Sequence, residues 1–386
     1  MMTGRQRILA ALERRPVDRL PFVPLIDVYT LKDMPASIPK TVQSSGYAYA
    51  AGMLAASRAL GCDILLRHVP ASDPRERRAT YLDYLGPFDS TVQITSETVD
   101  GVLTETLRTP VGKLVGTWGF TGEVGWIPHP LKHLVTNGDE LRVFHFAVDH
   151  LSGTTYTPDP TAYRRINQEL GEDGLATVSL MNTPLMYLIE MVWGLQNTYY
   201  LLADYRSEVE DILAKLHAAM KRYTEQVLAN SPARVVIQYE NTSSTLLSPK
   251  VFRQYCLPCL NEYADILTQA GKIHLVHMCG KLKVFMPDIS GARFAGVADI
   301  APSPTGDMPL DQAAAQLSGK VVIGGIDPTT FIDPDRQTFT DTVAKLIQAV
   351  KGNPGVLLGS ADTTPRGTPV ENLRIAMELA QTAGAY

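Results

Sequence analysis

Cysteine is scarce in this chain of 386 residues. Only Cys62, Cys256, Cys259 and Cys279 occur, which is too few for a disulfide framework in a chain of this length. Such sparse cysteine usage is typical of a reducing compartment. We therefore expect a cytoplasmic protein.

Long apolar runs and basic clusters are missing as well. No stretch reaches the roughly 18 consecutive apolar residues of a membrane span, and residues 1–15 alternate charged and apolar positions, unlike a secretory signal. Lys plus Arg total 35 against 40 for Asp plus Glu, and no basic run carries interleaved aromatic residues. We expect neither a membrane nor a nucleic acid as a partner.

The composition that remains is that of a folded globular protein, with 45% hydrophobic and 19% charged residues. We find no linker that divides the chain, no repeat of fixed period and no low-complexity tract. The sequence therefore predicts a single domain over residues 1–386.

Short apolar runs alternate with helical stretches along most of the chain. Amphipathic helices are predicted at 207–229, 249–270, 338–350 and 369–382, after an opening helix at 4–14 that Thr3 caps. Continuous apolar strands separated by such helices are typical of a buried parallel sheet. Eight strand candidates predict an α/β fold, a closed (β/α)₈ TIM barrel. These candidates are 20–26, 62–66, 175–180, 234–239, 273–277, 292–298, 321–324 and 356–358.

Residues 91–119 break this rhythm. Their Thr- and Ser-rich alternation around Asp100-Gly101 predicts an inserted antiparallel β-hairpin, with Asp-Gly as the turn.

Polar residues follow most of the predicted strands. In barrels of this kind, catalytic groups project from the carboxyl ends of the strands, so these residues are expected to share one rim. They are Asp27, Asn182, Glu240, His277, Cys279, Asp299, Asp327 and Asp362.

His277 and Cys279 are the sharpest element of this rim. Two residues apart on an extended segment, they point to the same side. Imidazole and thiolate together favour zinc, and Glu240 and Asp362 supply carboxylate ligands. We predict that these four residues form a catalytic metal centre. The alternative is a core histidine beside a cysteine that acts as a small buried hydrophobe.

Other motifs allow plainer interpretations. Cys256 and Cys259 lie in a predicted helix, where packing is favoured over a metal or redox role because no second cysteine pair exists. His274 faces away from His277 on the same strand. Gly324-Gly325 either cradles an anion or only permits a tight turn, and the sequence leaves both open.

The chain resembles the uroporphyrinogen decarboxylase superfamily, and within it the zinc-dependent corrinoid methyltransferases. His277-Met278-Cys279-Gly280 is the discriminating motif. The other similar segments are 5–12, 16–21, 129–132, 324–328 and 368–372.

Two departures from the family pattern narrow the function. The arginine-rich motif of true decarboxylases is replaced by Pro24-Leu25-Ile26-Asp27-Val28-Tyr29, which disfavours decarboxylation of a porphyrinogen. The cysteine that closes the zinc site of the methyltransferases is replaced by Asp362. A carboxylate still binds zinc, but it makes the ion a harder Lewis acid.

The resemblance implies methyl transfer between a small molecule and the cobalt of a corrinoid. The chain has no Asp-x-His-x-x-Gly corrinoid motif, so methylcobalamin is expected on a partner carrier protein. Asp27, Asn182 and Asp299 are predicted to bind the small-molecule methyl donor or acceptor. The oligomeric state is left open, with a homodimer as one option.

Two other functions compete with this one. A metal-free lyase acting on a carboxylated substrate would retain activity after chelation. A non-catalytic barrel that binds a corrinoid or another tetrapyrrole would not turn over methylcobalamin.

Overall fold

A computed structural model of the protein describes residues 1–26, 46–69, 88–120, 128–151, 156 and 158–385. Asp27, a predicted substrate-binding residue, lies outside the described residues. The chain divides into two compact units, one of Met1–Ala71, Asp159–Leu180 and Leu228–Tyr386, the other of Ser72–Pro158 and Met181–Val227. The single domain stays a prediction.

The described residues form α-helices and two kinds of β-sheet. The helices are α1 (Gly4–Leu12), α2 (Gly46–Leu60), α3 (Gly138–Asp149), α4 (Thr161–Leu170), α5 (Pro184–Tyr187), α6 (Leu195–Asp204), α7 (Arg206–Tyr223), α8 (Pro249–Val251), α9 (Leu257–Gln269), α10 (Met286–Gly291), α11 (Leu310–Gln316), α12 (Pro328–Phe331), α13 (Arg336–Val350) and α14 (Val370–Thr382). The strands are β1 (Ile64–Val69), β2 (Gln93–Val99), β3 (Val102–Thr109), β4 (Gly112–Phe120), β5 (Pro128–Lys132), β6 (Gly174–Leu180), β7 (Val235–Tyr239), β8 (Ile273–His277), β9 (Gly296–Ile300), β10 (Val321–Ile326) and β11 (Val356–Ser360). Short π-helical turns occupy Leu188–Val192, Thr224–Leu228 and Phe252–Cys256, and a 3₁₀ turn occupies Lys283–Phe285.

The first unit is built on a seven-stranded parallel sheet in the order β1-β6-β7-β8-β9-β10-β11. All of its strands are almost completely buried, as expected for a parallel sheet that crossover helices cover. The predicted TIM-barrel class is confirmed.

The first predicted strand, residues 20–26, is an irregular segment beside β11. Phe22 and Leu25 form isolated parallel bridges to Leu358 and Thr363. On its other side, the Phe22 carbonyl accepts the Asp63 N–H at 3.1 Å, just before β1 begins. Pro21 and Pro24 lack the N–H donors that a regular ladder needs, so this segment closes the sheet without being a full strand.

The interior of the curled sheet is an apolar core that all seven strands and α1 share. It contains alternate strand residues such as Leu65, Ile237 and Leu275, together with Ile8 of α1. Thr3 caps α1 with a capping box, as predicted, and the helix contacts β1, β6 and β11. The amino-terminal end of the sheet is therefore covered.

A buried ion network lies beside α1, just before β1. Asp63 accepts hydrogen bonds from Arg7 Nη1 at 2.6 Å and Arg19 Nη1 at 2.7 Å. Its Oδ2 also accepts the Phe22 N–H at 3.1 Å. This network ties α1 and the closing segment to the start of β1.

The second unit contains a four-stranded antiparallel sheet in the order β2-β3-β4-β5. The predicted hairpin is β2 and β3, with φ of 49° at Asp100 and 75° at Gly101 in its turn. The insertion continues through β4 and β5, and α3 packs against β3 and β4.

Within the described ranges, no helix combines the length and the apolar character that crossing a bilayer requires.

Candidate metal centre

Polar side chains continue the inner face of the sheet beyond its apolar core. Arg67 follows Leu65 by two residues on β1, Tyr239 follows Ile237 on β7, and His277 follows Leu275 on β8. Because side chains alternate along a strand, each of these three points to the same side as the core residue before it. The inner face is therefore apolar towards its amino-terminal end and polar towards its carboxyl-terminal end.

His277, Cys279 and Asp362 meet at this polar end. Their potential ligand atoms, one nitrogen, one sulfur and one oxygen, all lie within 4.8 Å of one another. His277 ends β8, Cys279 follows two residues later, and Asp362 comes two residues after β11. His277 is buried, whereas Cys279 and Asp362 are partly exposed. The group therefore has a fixed inner ligand and a more open outer side.

Backbone hydrogen bonds hold His277 and the turn after it. The His277 carbonyl accepts the N–H groups of Glu240 at 3.1 Å and Asn241 at 3.2 Å. The Met278 N–H donates to the Ala298 carbonyl at 3.0 Å. The chain is thus anchored on both sides immediately before Cys279.

Gly280 allows this turn to pack closely on the loop after β7. A Cβ atom at this position would lie 2.3 Å from the Ser243 Cβ and 2.5 Å from the Thr242 carbonyl oxygen. The Ser243 hydroxyl also accepts the Lys281 N–H at 3.1 Å. Glycine is required after Cys279 because any larger residue would push the two loops apart.

Asp299 orients the imidazole of His277. It is fully buried on β9, and its φ of 69° interrupts the register between β9 and β10. Its Oδ2 is hydrogen-bonded to His277 Nδ1, so Nε2 is left to face Cys279 and Asp362. A metal-bound histidine usually donates its second nitrogen to a carboxylate in this way.

Arg67 in turn holds Asp299. Its Nη1 donates to Asp299 Oδ2, and its Nη2 donates to Oδ1 at 2.9 Å. Both side chains are buried, and this forked contact fixes the plane of the carboxylate.

The electrostatics of the group follow from these contacts. Burial alone would raise the pKa of Asp299, but Arg67 and His277 hold it well below its usual range. Burial alone would lower the pKa of His277, but Cys279 and Asp299 raise it well above the ordinary value. The pKa of the Cys279 thiol is raised, chiefly by burial, although His277 opposes this shift. A cation at this place would favour the thiolate.

The donor set fits a divalent zinc ion. Nitrogen, sulfur and oxygen donors are those that zinc accepts, and catalytic zinc sites use three protein ligands and keep one position exchangeable. The partial exposure of Cys279 and Asp362 provides that access. The carboxylate behind His277 completes the arrangement.

Glu240, the fourth predicted ligand, is not in this group. Its backbone is bonded to His277, but its side chain is buried and lies near α9. There the pKa of Cys259 is raised to about 12 by burial, with Glu240 as the next contributor. Burial, followed by Cys259 and then Glu240, raises the pKa of Tyr263 well above its usual value. A ligand role for Glu240 stays a prediction.

The predicted substrate-binding residues are not brought together by the described contacts. Asn182 is buried in the second unit, where its Nδ2 donates to Glu190 Oε2 at 3.0 Å. Asp299 uses both carboxylate oxygens for Arg67 and His277. Their roles towards a substrate stay predictions.

Arg67 and Tyr239 are the site residues that sequence reasoning missed. The Tyr239 ring lies 5.1 Å from the His277 ring, centroid to centroid. Arg67 follows the predicted strand 62–66 directly, so the rule that selected the other rim residues would have selected it as well. Tyr239 was counted only as the last apolar residue of its strand.

Gly324 and Gly325 lie inside strand β10, so the structure does not place them in a tight turn. Asp327, the residue after β10, caps α12, and its carboxylate accepts hydrogen bonds from the Thr305 hydroxyl and the Thr329 N–H. A Cβ atom on Gly324, whose φ is 130°, would lie 2.6 Å from the Ile300 carbonyl oxygen. This glycine is needed for close packing of β10 on β9.

Comparison with solved structures shows the same fold elsewhere. A methyltransferase from Methanosarcina mazei is 16% identical, with a TM-score of 0.64 over 100% of both chains. A D-psicose 3-epimerase from Clostridium cellulolyticum H10 is 9% identical over 59% of this chain and 85% of its own, and its TM-score of 0.34 is too low to carry an argument. No curated protein gives a significant sequence match.

The family is shown by a scan against family models. The uroporphyrinogen decarboxylase (URO-D) model matches residues 144–383, which is more than half of the chain. This range includes His277, Cys279, Asp299 and Asp362. The chain therefore belongs to the uroporphyrinogen decarboxylase family.

Proposed function

We propose that this protein is a zinc-dependent methyltransferase that moves a methyl group between a small molecule and the cobalt of a corrinoid on a separate carrier protein. The observation that carries the proposal is the convergence of His277, Cys279 and Asp362, with their ligand atoms within 4.8 Å. The fold shared with a methyltransferase supports it.

The three residues of the group divide the work of holding the ion. His277 is the buried, oriented ligand, because Asp299 occupies its Nδ1. Cys279 and Asp362 stand at the partly exposed side, where a small molecule has access. A zinc ion held here would supply Lewis acidity, which lowers the pKa of an acceptor thiol or polarises an ether or amine.

The surrounding side chains favour a substrate whose reacting group is polar and lies next to the apolar core of the sheet. The Tyr239 ring stacks obliquely beside His277, and the apolar core begins two residues below each of them. A methylated ether, amine or thiol matches this combination. Asp362 supplies a carboxylate where the related methyltransferases have a thiolate, and this makes the zinc ion harder. A harder ion favours a substrate whose methyl group is carried by oxygen or nitrogen over one whose methyl group is carried by sulfur.

The direct test is metal content and methyl transfer measured on the same preparations. We expect zinc bound by the wild type in elemental analysis, and its loss together with methyl transfer in Cys279→Ala. The matched control is Cys259→Ala, because that thiol donates to the Tyr255 carbonyl and is not among the three grouped ligands. Methyl transfer is followed by the absorbance change of cobalamin with candidate donors and thiol acceptors.

Three results would contradict the proposal. Full zinc content in Cys279→Ala would remove Cys279 from the ligand set. Turnover of a carboxylated substrate that survives chelation would favour the metal-free lyase. Binding of methylcobalamin without turnover would favour a corrinoid-binding barrel that is not an enzyme.

A further inference from the structure

We propose that Arg67 and Asp299 form a positioning pair that sets the metal affinity of the site without contacting the ion. The pair holds the His277 ring so that Nδ1 is bonded to Asp299 and Nε2 faces Cys279 and Asp362. This inference rests on the metal centre of the proposed function.

The contact between the two residues spans the interior of the sheet. Arg67 is on β1 and Asp299 is on β9, and three strands separate β1 from β9 in the sheet order. The guanidinium reaches the carboxylate with two donors, one to each oxygen. A planar fork of this kind fixes the direction of the carboxylate more firmly than a single contact does.

Oδ2 of Asp299 is the atom that transmits this constraint. It receives Arg67 Nη1 on one side and is bonded to His277 Nδ1 on the other. If Arg67 is removed, the carboxylate is free to rotate and the imidazole loses its fixed partner. The imidazole of His277 then samples orientations in which Nε2 no longer faces Cys279 and Asp362.

The backbone conformation of Asp299 supports its role in positioning His277. Its φ of 69° is a conformation that non-glycine residues rarely adopt, although aspartate tolerates it better than most. Asp299 and Arg67 are 0% and 1% exposed. A buried pair with all acceptor atoms engaged serves a neighbouring residue, and here that neighbour is His277.

The test compares zinc affinity in four variants. Asp299→Asn keeps the size of the side chain, Arg67→Met removes the fork, and Arg67→Lys keeps the charge without it. Arg7→Met is the matched control, because Arg7 is also a buried arginine, paired with Asp63 before β1 begins. Zinc dissociation constants are measured by chelator competition, and folding by circular dichroism.

We expect zinc binding to weaken about 10- to 100-fold in Asp299→Asn and Arg67→Met, the usual cost of losing a group that orients a metal ligand. Arg67→Lys should recover part of this loss. The visible spectrum of the cobalt(II)-substituted protein should change in Asp299→Asn, because the orientation of a ligand has changed. Arg7→Met should lose stability yet bind zinc like the wild type.

The inference is overturned if Asp299→Asn binds zinc within about twofold of the wild type with an unchanged cobalt spectrum. It is also overturned if Arg7→Met weakens zinc binding as much as Arg67→Met does. Asp299→Asn decides the matter should Arg67→Met not fold. A wild type that binds zinc but transfers no methyl group contradicts the proposed function alone, and a wild type that binds no zinc contradicts both.

Discussion

Two buried arginine-aspartate networks lie at opposite ends of β1. Before the strand, Asp63 is bonded to Arg7 and Arg19. Within the strand, Arg67 reaches across the sheet to Asp299. Both networks use the same two residue types. Arg7, Asp63, Arg67 and Asp299 are almost fully buried, whereas Arg19 is partly exposed.

The networks differ in their third partner. In the part of the chain that the structure describes, Asp63 accepts from Arg7, Arg19 and the Phe22 N–H, all of them structural donors. Asp299 shares its charge with His277, which has a second nitrogen directed at Cys279 and Asp362. A buried arginine-aspartate pair therefore has a functional role when it orients a side chain of the site, as Asp299 orients His277. The residue types in the pair do not reveal whether it has such a role.

The largest expected effect that separates the two networks is the loss of unfolding free energy when Asp63 is removed. Asp63→Ala leaves Arg7 and Arg19 without their shared acceptor, and removing one partner of a buried pair costs about 3–5 kcal/mol. Urea unfolding measures this loss. Zinc affinity of the folded fraction should equal that of the wild type, and a weakened zinc site would break the proposed division between the two ends.

The next effect concerns the ligands themselves. Asp362→Asn should weaken zinc binding at least about tenfold. Even the loss of a group that only orients a ligand weakens metal binding about 10- to 100-fold. Glu240→Gln should stay within about twofold, because its side chain lies against α9 and is not among the three grouped ligands. Chelator competition measures both variants. A large loss in Glu240→Gln would restore it as the fourth ligand.

The smallest effect near neutral pH concerns His274, the other histidine of β8. Burial lowers the pKa of His274 from 6.5 to about 3, so between these values only the unfolded chain takes up the proton. Stability therefore falls as the pH drops through this window, by about 1 kcal/mol per pH unit from this residue. His274→Gln should flatten the pH dependence of the unfolding free energy.

Much of the fold was predictable because buried strands and amphipathic helices leave periodic apolar patterns. The run 273–277 coincides with β8, whereas the run 292–298 begins four residues before β9 (Gly296–Ile300). Ala292, Phe294 and Ala295 extend the apolar pattern, but pairing with β8 and β10 begins only at Gly296. Hydrogen-bond register between strands sets such boundaries, and a single sequence does not encode it locally.

The site was predictable only in part. His277, Cys279 and Asp362 lie together as expected, because the carboxyl ends of parallel strands share a rim. Glu240 is not among the grouped atoms, because Tyr239 faces inward and strand alternation turns the next residue outward; its ligand role stays a prediction. The orientation of the Asp299 side chain does not follow from strand alternation. Its positive φ breaks the alternation and redirects the side chain.

The closing segment of residues 20–26 has a consequence for the order of synthesis and folding. Its partner strand β11 lies near the other end of the chain, and Leu25 N–H even donates to the Ser360 hydroxyl at 2.8 Å. During translation the growing sheet therefore keeps two unpaired edges until β11 has left the ribosome. Such edges are templates for aggregation, and contacts this distant in sequence form slowly. Nascent chains of this protein should depend on chaperones until that last strand emerges.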